Sequence, residues 1–374
     1  MSNIDYRLKI IDIAKKLHFC LISRPYYLYK FLLSGNKYYS GKTYFPDKKS
    51  KSHFKIWMDQ LFQTLKYGFP NELYYTCGFD VKNKREIGEY LHYAPFARVR
   101  DRLNSAYPSE IIILRDKFLF GMFAEYLGVN TAENIGITES SGIYDTLQKI
   151  VVPTIKFLRE MENEDLFIKP YDGQCGKGIL HLIVKNGTYT LNGEKVSVTD
   201  LASKLESERY LLQRAVVQHN ILSSLHKKSI NTIRLVTIRN RVKGRIDVFP
   251  SILRIGTASS FVDNTSQGGI AVGIDLNTGK LHEFGFYKPE FGTKTDEHPD
   301  SKIKFSEVTI PYFDECKSQA IRLHSMLPQL HSIGWDIAIG PQGPIFIEGN
   351  DRWEITGPQN CNGGLKNLFM EYAK

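Results

Sequence analysis

The residues best suited to chemistry lie in GWDIAIGPQGPIFIEGN, residues 334–350. Here Asp336, Glu348 and Asn350 interrupt apolar, strand-like runs on either side of a Gly-Pro-Gln-Gly-Pro turn. Strand alternation puts Asp336 on one face with Ala338, and Trp335, Ile337 and Ile339 on the other. It also groups Phe346, Glu348 and Asn350 on one face of the second run. A turn that folds the second run beside the first brings Asp336 and Glu348 together. Two close carboxylates repel unless a cation lies between them. An all-oxygen set suits Mg²⁺ or Mn²⁺ and not zinc. Magnesium usually keeps waters and shares substrate phosphates, so the set predicts a nucleotide. Taken alone, the stretch reads equally well as a solvent-facing polar strand edge.

A second group is FIKPYDGQCGKGI, residues 167–179. Lys169 ends an apolar strand, and Asp172, Gly173, Gly176, Lys177 and Gly178 form a glycine-rich loop. Such a loop lets backbone N–H groups approach phosphates, and a lysine beside it offers a point charge. The P-loop pattern is absent, because Gly178 follows Lys177 where Ser or Thr is required. A plain turn remains the other reading of the loop. Cys175 lies within it with only Lys177 as a basic neighbour, which suits a spectator thiol. The histidines show no metal-ligand spacing.

The elements that must position these groups follow from periodicity. Residues 4–33 have helical spacing, SGNKYYSGKTYFPDKKSKS is a linker, and HFKIWMDQLFQTLKYGFP is a helix closed by Gly68 and Pro70. IIIL suits a short strand or the start of a helix, and DKFLFGMFAEYLG is a helix stopped by Gly128. ILHLIV and TYTLNGEKVSV make a hairpin around Asn192-Gly193. YLLQRAVVQ is a strand, INTIRLVTIRN and RVKGRIDVFPSILRIG alternate as antiparallel strands, and PYFDECKSQAIRLHSMLPQL is a helix. Hairpins without a βαβ rhythm indicate an α+β protein, not a doubly wound parallel sheet.

The length of 374 residues and 42% hydrophobic content allow more than one lobe. Net charge is +9, yet residues 1–55 hold 12 Lys and Arg against 3 acids, and the rest carries 37 of each sign. A neutral body excludes a nucleic-acid channel. Five cysteines without C-x-x-C spacing suit a reducing compartment, and no secretory signal or spanning segment is visible, so a cytoplasmic location is expected.

Taken in order, these pieces resemble the ATP-grasp superfamily, and most of all its sugar-transfer-associated branch; RimK-like glutamate ligases are a more distant likeness. The resemblance covers roughly residues 70–374. Lys117 in LRDKFLF and Lys169 in FIKP resemble the two nucleotide lysines, and DGQCGKGI resembles the mobile phosphate loop. Gln213, Arg214, Ala215 and Val216 resemble the adenine hinge. Arg234 and Arg254 match the phosphate and transition-state arginines. Asn264, Gly268 and Gly269 in VDNTSQGGI match the substrate-side segment. Asp336, Glu348 and Asn350, as D-x₁₁-E-x-N, match the magnesium triad. The resemblance implies an ATP-grasp fold of two α+β subdomains behind a largely helical N-terminal region. The divisions expected are a basic arm (1–55), a reduced pre-ATP region (56–110), a first subdomain (111–212) and a second (213–374). Two features depart from the family pattern: Gln213 stands where the hinge usually has Glu, and only Gln218 and His219 lie where a ribose-binding acid is expected.

The implied activity is a carboxylate–amine ligase using ATP and Mg²⁺ or Mn²⁺ through an acylphosphate, acting on small-molecule or glycan substrates in surface polysaccharide or exopolysaccharide synthesis. The alternatives are a sugar phosphotransferase and a non-catalytic nucleotide-binding scaffold. The basic, aromatic arm has two readings as well. It could lie on the inner face of an anionic membrane, or pack on the body or a second copy in a homodimer.

Overall fold

The computed structural model describes residues 17–34, 41–68, 70–82, 85–104, 108–171 and 178–373. Part of the expected first helix (4–16) and the loop residues 172–177 lie outside that set.

The described chain opens with a π-helical turn, Phe19–Ser23, that leads into α1 (Arg24–Ser34). Helix α2 (His53–Tyr67) starts where the Ser52 hydroxyl accepts the Lys55 N–H. It stops at Gly68, whose φ of 78° is left-handed. Helices α3 (Tyr93–Asn104), α4 (Pro108–Arg115) and α5 (Lys117–Tyr126) follow, so IIIL is helical.

Two antiparallel sheets come next. The first holds β1 (Asn134–Glu139), β2 (Gly142–Asp145), β3 (Ile150–Val152), β4 (Glu164–Pro170), β5 (Leu180–Lys185), β6 (Thr188–Leu191), β7 (Glu194–Val196) and β8 (Tyr210–Arg214), in spatial order β3-β2-β1-β8-β4-β5-β6-β7. Helices α6 (Thr154–Arg159) and α7 (Val198–Ser207) cover it. Two corrections arise here. Asn192-Gly193 joins β6 to β7, and a separate turn at Asn186-Gly187 joins β5 to β6, with positive φ at all four residues. The strand in YLLQRAVVQ ends at Arg214, and Gln213 and Arg214 belong to this first sheet.

After α8 (Asn220–Leu225), the second sheet holds β9 (Thr232–Asn240), β10 (Arg245–Ile255), β11 (Ile270–Ile274), β12 (Leu281–Phe286), β13 (Lys294–Thr295), β14 (Ser332–Gly340) and β15 (Gly343–Asn350), in order β13-β12-β11-β10-β9-β14-β15. Helix α9 (Phe313–Ser325) precedes β14, and α10 (Thr356–Asn362) and α11 (Lys366–Tyr372) end the chain. One face of this sheet packs on α4, α5, α8 and α9 through residues such as Leu114, Phe120, Leu225, Leu323 and Trp335. The other face packs on α3 and α11 through Phe96, Phe249, Trp353 and Phe369. A sheet covered on both sides needs continuous apolar runs, and all nine residues of β14 are buried. Thus α4 and α5, which precede the first sheet in the chain, build the core of the second. Among the described residues before 108, helices and one isolated bridge (Ser50 to Val81) occur and no strand joins either sheet.

Candidate nucleotide and metal site

Between the sheets lies a cleft of roughly 940 Å³, and it gathers most of the residues singled out above. Its floor is made where β15, β14, β9 and β10 lie side by side. Register sets Glu348 opposite Asp336, Asp336 opposite Arg234, and Arg254 opposite Thr232. Strict alternation would place Phe346 and Glu348 on one face, and the structure corrects this. A bulge at Ile347 intervenes, because Asp336 pairs with Glu348 whereas Ile337 pairs with Phe346. Phe346 therefore enters the core against Trp335, and Glu348 faces the cleft.

Asp336 is buried and held by two guanidiniums. Arg234 donates to it through Nε and through Nη2 at 2.9 Å, and Arg254 donates through Nη2 at 2.8 Å. Burial alone would raise its pKa; the two arginines outweigh it and hold the carboxyl well below the usual range. Glu348 goes the other way, pushed up by burial and by the neighbouring Asp336 charge. The Asn350 side-chain amide donates to Glu348 at 3.2 Å. Two carboxylates of opposite displacement beside an amide form an all-oxygen donor set. A hard divalent cation there would relieve the repulsion that raises Glu348, so the residues fit magnesium.

The opposite wall comes from the first sheet. The Lys169 ammonium donates to Gln213 Oε1 at 2.6 Å, and burial, with the Lys117 charge adding to it, pushes its pKa down to about 8. The Gln213 amide in turn donates to the Ala132 carbonyl and, at 2.9 Å, to Asn134 Oδ1. Gln213 therefore positions the lysine. Lys117 is the first residue of α5, whose N-cap Asp116 accepts the N–H groups of Phe118 and Leu119. Its ammonium reaches the Tyr171 carbonyl at 3.5 Å, and the Tyr171 hydroxyl donates to the second Asp116 oxygen at 2.7 Å. Helix and strand end are thereby locked together with both lysines on one side of the cleft.

The remaining candidates divide. Arg214 turns from the hinge to Glu164 and Glu133, at 2.8 and 2.7 Å, and clamps strands together. The Ala215 N–H bonds the Asp165 carbonyl, and Val216 lines the cleft. Gln218 binds the Asn231 N–H at 2.6 Å, and His219 caps α8. Asn264 lines the cleft while its side chain accepts the Ser266 N–H. Gly268 is left-handed with φ of 94°, and a Cβ at Gly269 would collide with the Asp263 backbone, so both glycines set the loop's path. Gly178 is also left-handed, and its absent Cβ would meet Pro170 at 3.0 Å. Asp172, Gly173, Gly176 and Lys177 fall outside the described residues.

Sequence reasoning missed several contributors besides Asp116. Asp263 is buried, accepts the Thr232 N–H at 2.9 Å and lies 3.6 Å from the Arg254 guanidinium. Thr232 accepts from Arg254 at 2.6 Å. Arg115 pairs with buried Asp351 at 2.7 Å on the cleft wall. Asp116 had a visible signal, an N-cap residue directly before an apolar helix. Asp263 had none, since its partners lie on β9 and β10.

The profile of the sugar-transfer associated ATP-grasp family matches residues 98–371. The chain belongs to that family. No curated protein matches it. Among solved structures, it is similar to the D-alanine-D-alanine ligase of Helicobacter pylori (12% identity, TM-score 0.39, covering 70% of this chain and 58% of that one). It is also similar to the L-amino acid ligase of Bacillus licheniformis (10%, 0.39, 71% and 49%). A third likeness is the ADP-bound N5-carboxyaminoimidazole synthetase of Staphylococcus aureus (11%, 0.37, 64% and 45%). The alignment spans 45% and 43% of the first two structures matched.

Proposed function

We propose that this protein is an ATP-dependent carboxylate–amine ligase that works through an acylphosphate. The observation that carries the reading is the meeting of an acidic pair with four cations in one cleft. Asp336, held by Arg234 and Arg254, and Glu348 line the same cleft as Lys117 and Lys169, where a triphosphate would lie.

In this reading a substrate carboxylate oxygen attacks the γ-phosphorus, the bond from γ-phosphorus to the β,γ-bridging oxygen breaks, and ADP leaves. An amine nitrogen then attacks the acyl carbon, phosphate departs with the bonding electrons, and the amine gives up a proton. Lys117 and Lys169 hold phosphate oxygens. Arg254, steadied by Thr232 and Asp263, and Arg234 stabilise the transferring group. Asp336, Glu348 and Asn350 would hold magnesium, which when bound neutralises charge on phosphate oxygens. The family's description points to glycan chemistry, so the amide is assigned to surface polysaccharide or exopolysaccharide synthesis.

The test is a hydroxylamine trap across a panel of sugar acids and amino acids, with ATP and Mg²⁺. A hydroxamate formed with one carboxylate, with ADP released in equal amount, supports the ligase. A stable phosphosubstrate on a sugar hydroxyl, with no hydroxamate from any carboxylate, replaces it with a phosphotransferase.

A further inference from the structure

Helix α2 is inside out. Its buried residues are Gln60, Gln63 and Thr64, whereas Phe54, Met58, Phe62 and Leu65 stand exposed along one stripe. Gln63 faces inward to His92 at 2.9 Å and the Thr64 hydroxyl bonds the Gln60 carbonyl, so the polar side packs on the body. Helix α1 lies antiparallel to α2: near its start the Arg24 guanidinium bonds the Leu65 carbonyl, and near its end Phe31 meets Trp57 with ring centroids 5.7 Å apart. The α1 segment has its own exposed stripe, Leu21, Ile22, Tyr26, Tyr29, Leu32 and Leu33, at helical spacing. Phe54 is 72% exposed and Leu21 70%. Scattered surface apolar residues are ordinary, but an exposed apolar stripe on each of two neighbouring helices is not.

The charge beside the stripes has one sign of excess. Lys30 sits over the Tyr26 ring at 4.8 Å and Lys66 over Phe62 at 6.0 Å. Residues 1–55 carry the whole positive excess of the chain. No helix among the described residues is long and apolar enough to cross a membrane. Apolar stripes edged by lysines, on helices that do not span, match a surface that rests in the interface of an anionic bilayer. The other side of α2 packs on the turn-rich segment 71–81, where Ile56 joins Leu73 and Tyr74, and Leu73 and Thr76 line the cleft.

We propose that the α1–α2 pair docks on an anionic lipid surface, bringing the cleft wall formed by 71–81 close to the bilayer. Docking is independent of what the cleft catalyses, and its test uses full-length protein and no substrate. Vesicles of equal parts phosphatidylglycerol and phosphatidylcholine are sedimented with wild type, with Leu21→Glu/Phe54→Glu/Phe62→Glu, and with Lys30→Glu/Lys66→Glu. Wild type should pellet with these vesicles and much less with pure phosphatidylcholine. The apolar triple variant should partition on the order of a thousandfold less, since each of the three buried side chains is worth roughly tenfold. The charge variant should lose its preference for anionic vesicles, and all three should bind a nucleotide analogue alike. Equal pelleting of wild type and triple variant would overturn the proposal. So would a wild type that ignores vesicles but forms dimers that the triple variant dissolves, which would assign the stripes to a second copy.

Discussion

Burial pushes the Asp336 carboxyl up, yet two arginines outweigh it and hold it low, while burial and Asp336 push Glu348 up. That asymmetry gives Arg254 a task beside the one proposed for it, because it also maintains the charge of Asp336. Arg254→Ala should lower kcat by about 10²–10³, the usual loss for a preorganised donor to a developing charge, and a steady-state assay on the trapped carboxylate checks it. Lys169 offers a sign-definite test in pH. Its folded pKa, about 8, lies below the ordinary 10.5. Below pH 8 the lysine is charged in both the folded and the unfolded chain, and the folded state bears the full cost of burying the charge. Between pH 8 and 10.5 the unfolded chain binds more protons, so this cost fades as pH rises. Lys169→Met should therefore stabilise the ligand-free protein by up to about 3 kcal/mol near pH 7, with the gain shrinking toward pH 10. Melting temperatures of both proteins across that range decide it.

At the scale of elements, the site depends on four strands meeting in register and on one irregularity. D-x₁₁-E-x-N was readable because the turn fixes how far β15 travels before Glu348 reaches Asp336. The lysine at the end of β4 and the helix that begins at Lys117 were readable from apolar runs and punctuation. The bulge at Ile347 was not, because an extra residue leaves no mark on side-chain types and only shows when two strands are paired. The Asp263–Thr232–Arg254 contacts were hidden for a related reason: side chains 31 residues apart in sequence meet only after β9 and β10 pair. Gly349 separates the two end members of the triad and points into the core, where an added Cβ would meet Leu114 Cδ2 at 2.6 Å and Trp335 at 3.0 Å. Gly349→Ala should cost about 1–3 kcal/mol by overpacking. Chemical denaturation should show a smaller Gly349→Ala cost when it is measured in a Leu114→Ala background than in wild type.

Across the whole molecule, the N-terminal region splits in two. Its helices α1 and α2 carry the outward apolar stripes, but residues 41–50 are part of the body. Tyr44 is buried, its hydroxyl donates to the Tyr287 carbonyl at 2.9 Å, and its ring stacks on Phe286. Sequence alone treated residues 1–55 as one arm because charge was uniform along it; the aromatic anchors become meaningful only beside β12. Tyr44→Ala should lower global stability by about 3 kcal/mol, like other buried aromatics, with a matching loss in thermal midpoint. If one cleft between the two sheets holds a metal-bound nucleotide, calorimetric titration of a non-hydrolysable ATP analogue with and without Mg²⁺ will show it. Wild type should bind more tightly with Mg²⁺, and the Asp336→Asn/Glu348→Gln double variant should lose that difference while keeping its fold and the lysine contacts. A double variant that keeps the full Mg²⁺ dependence of the wild type would remove Asp336 and Glu348 from the metal site.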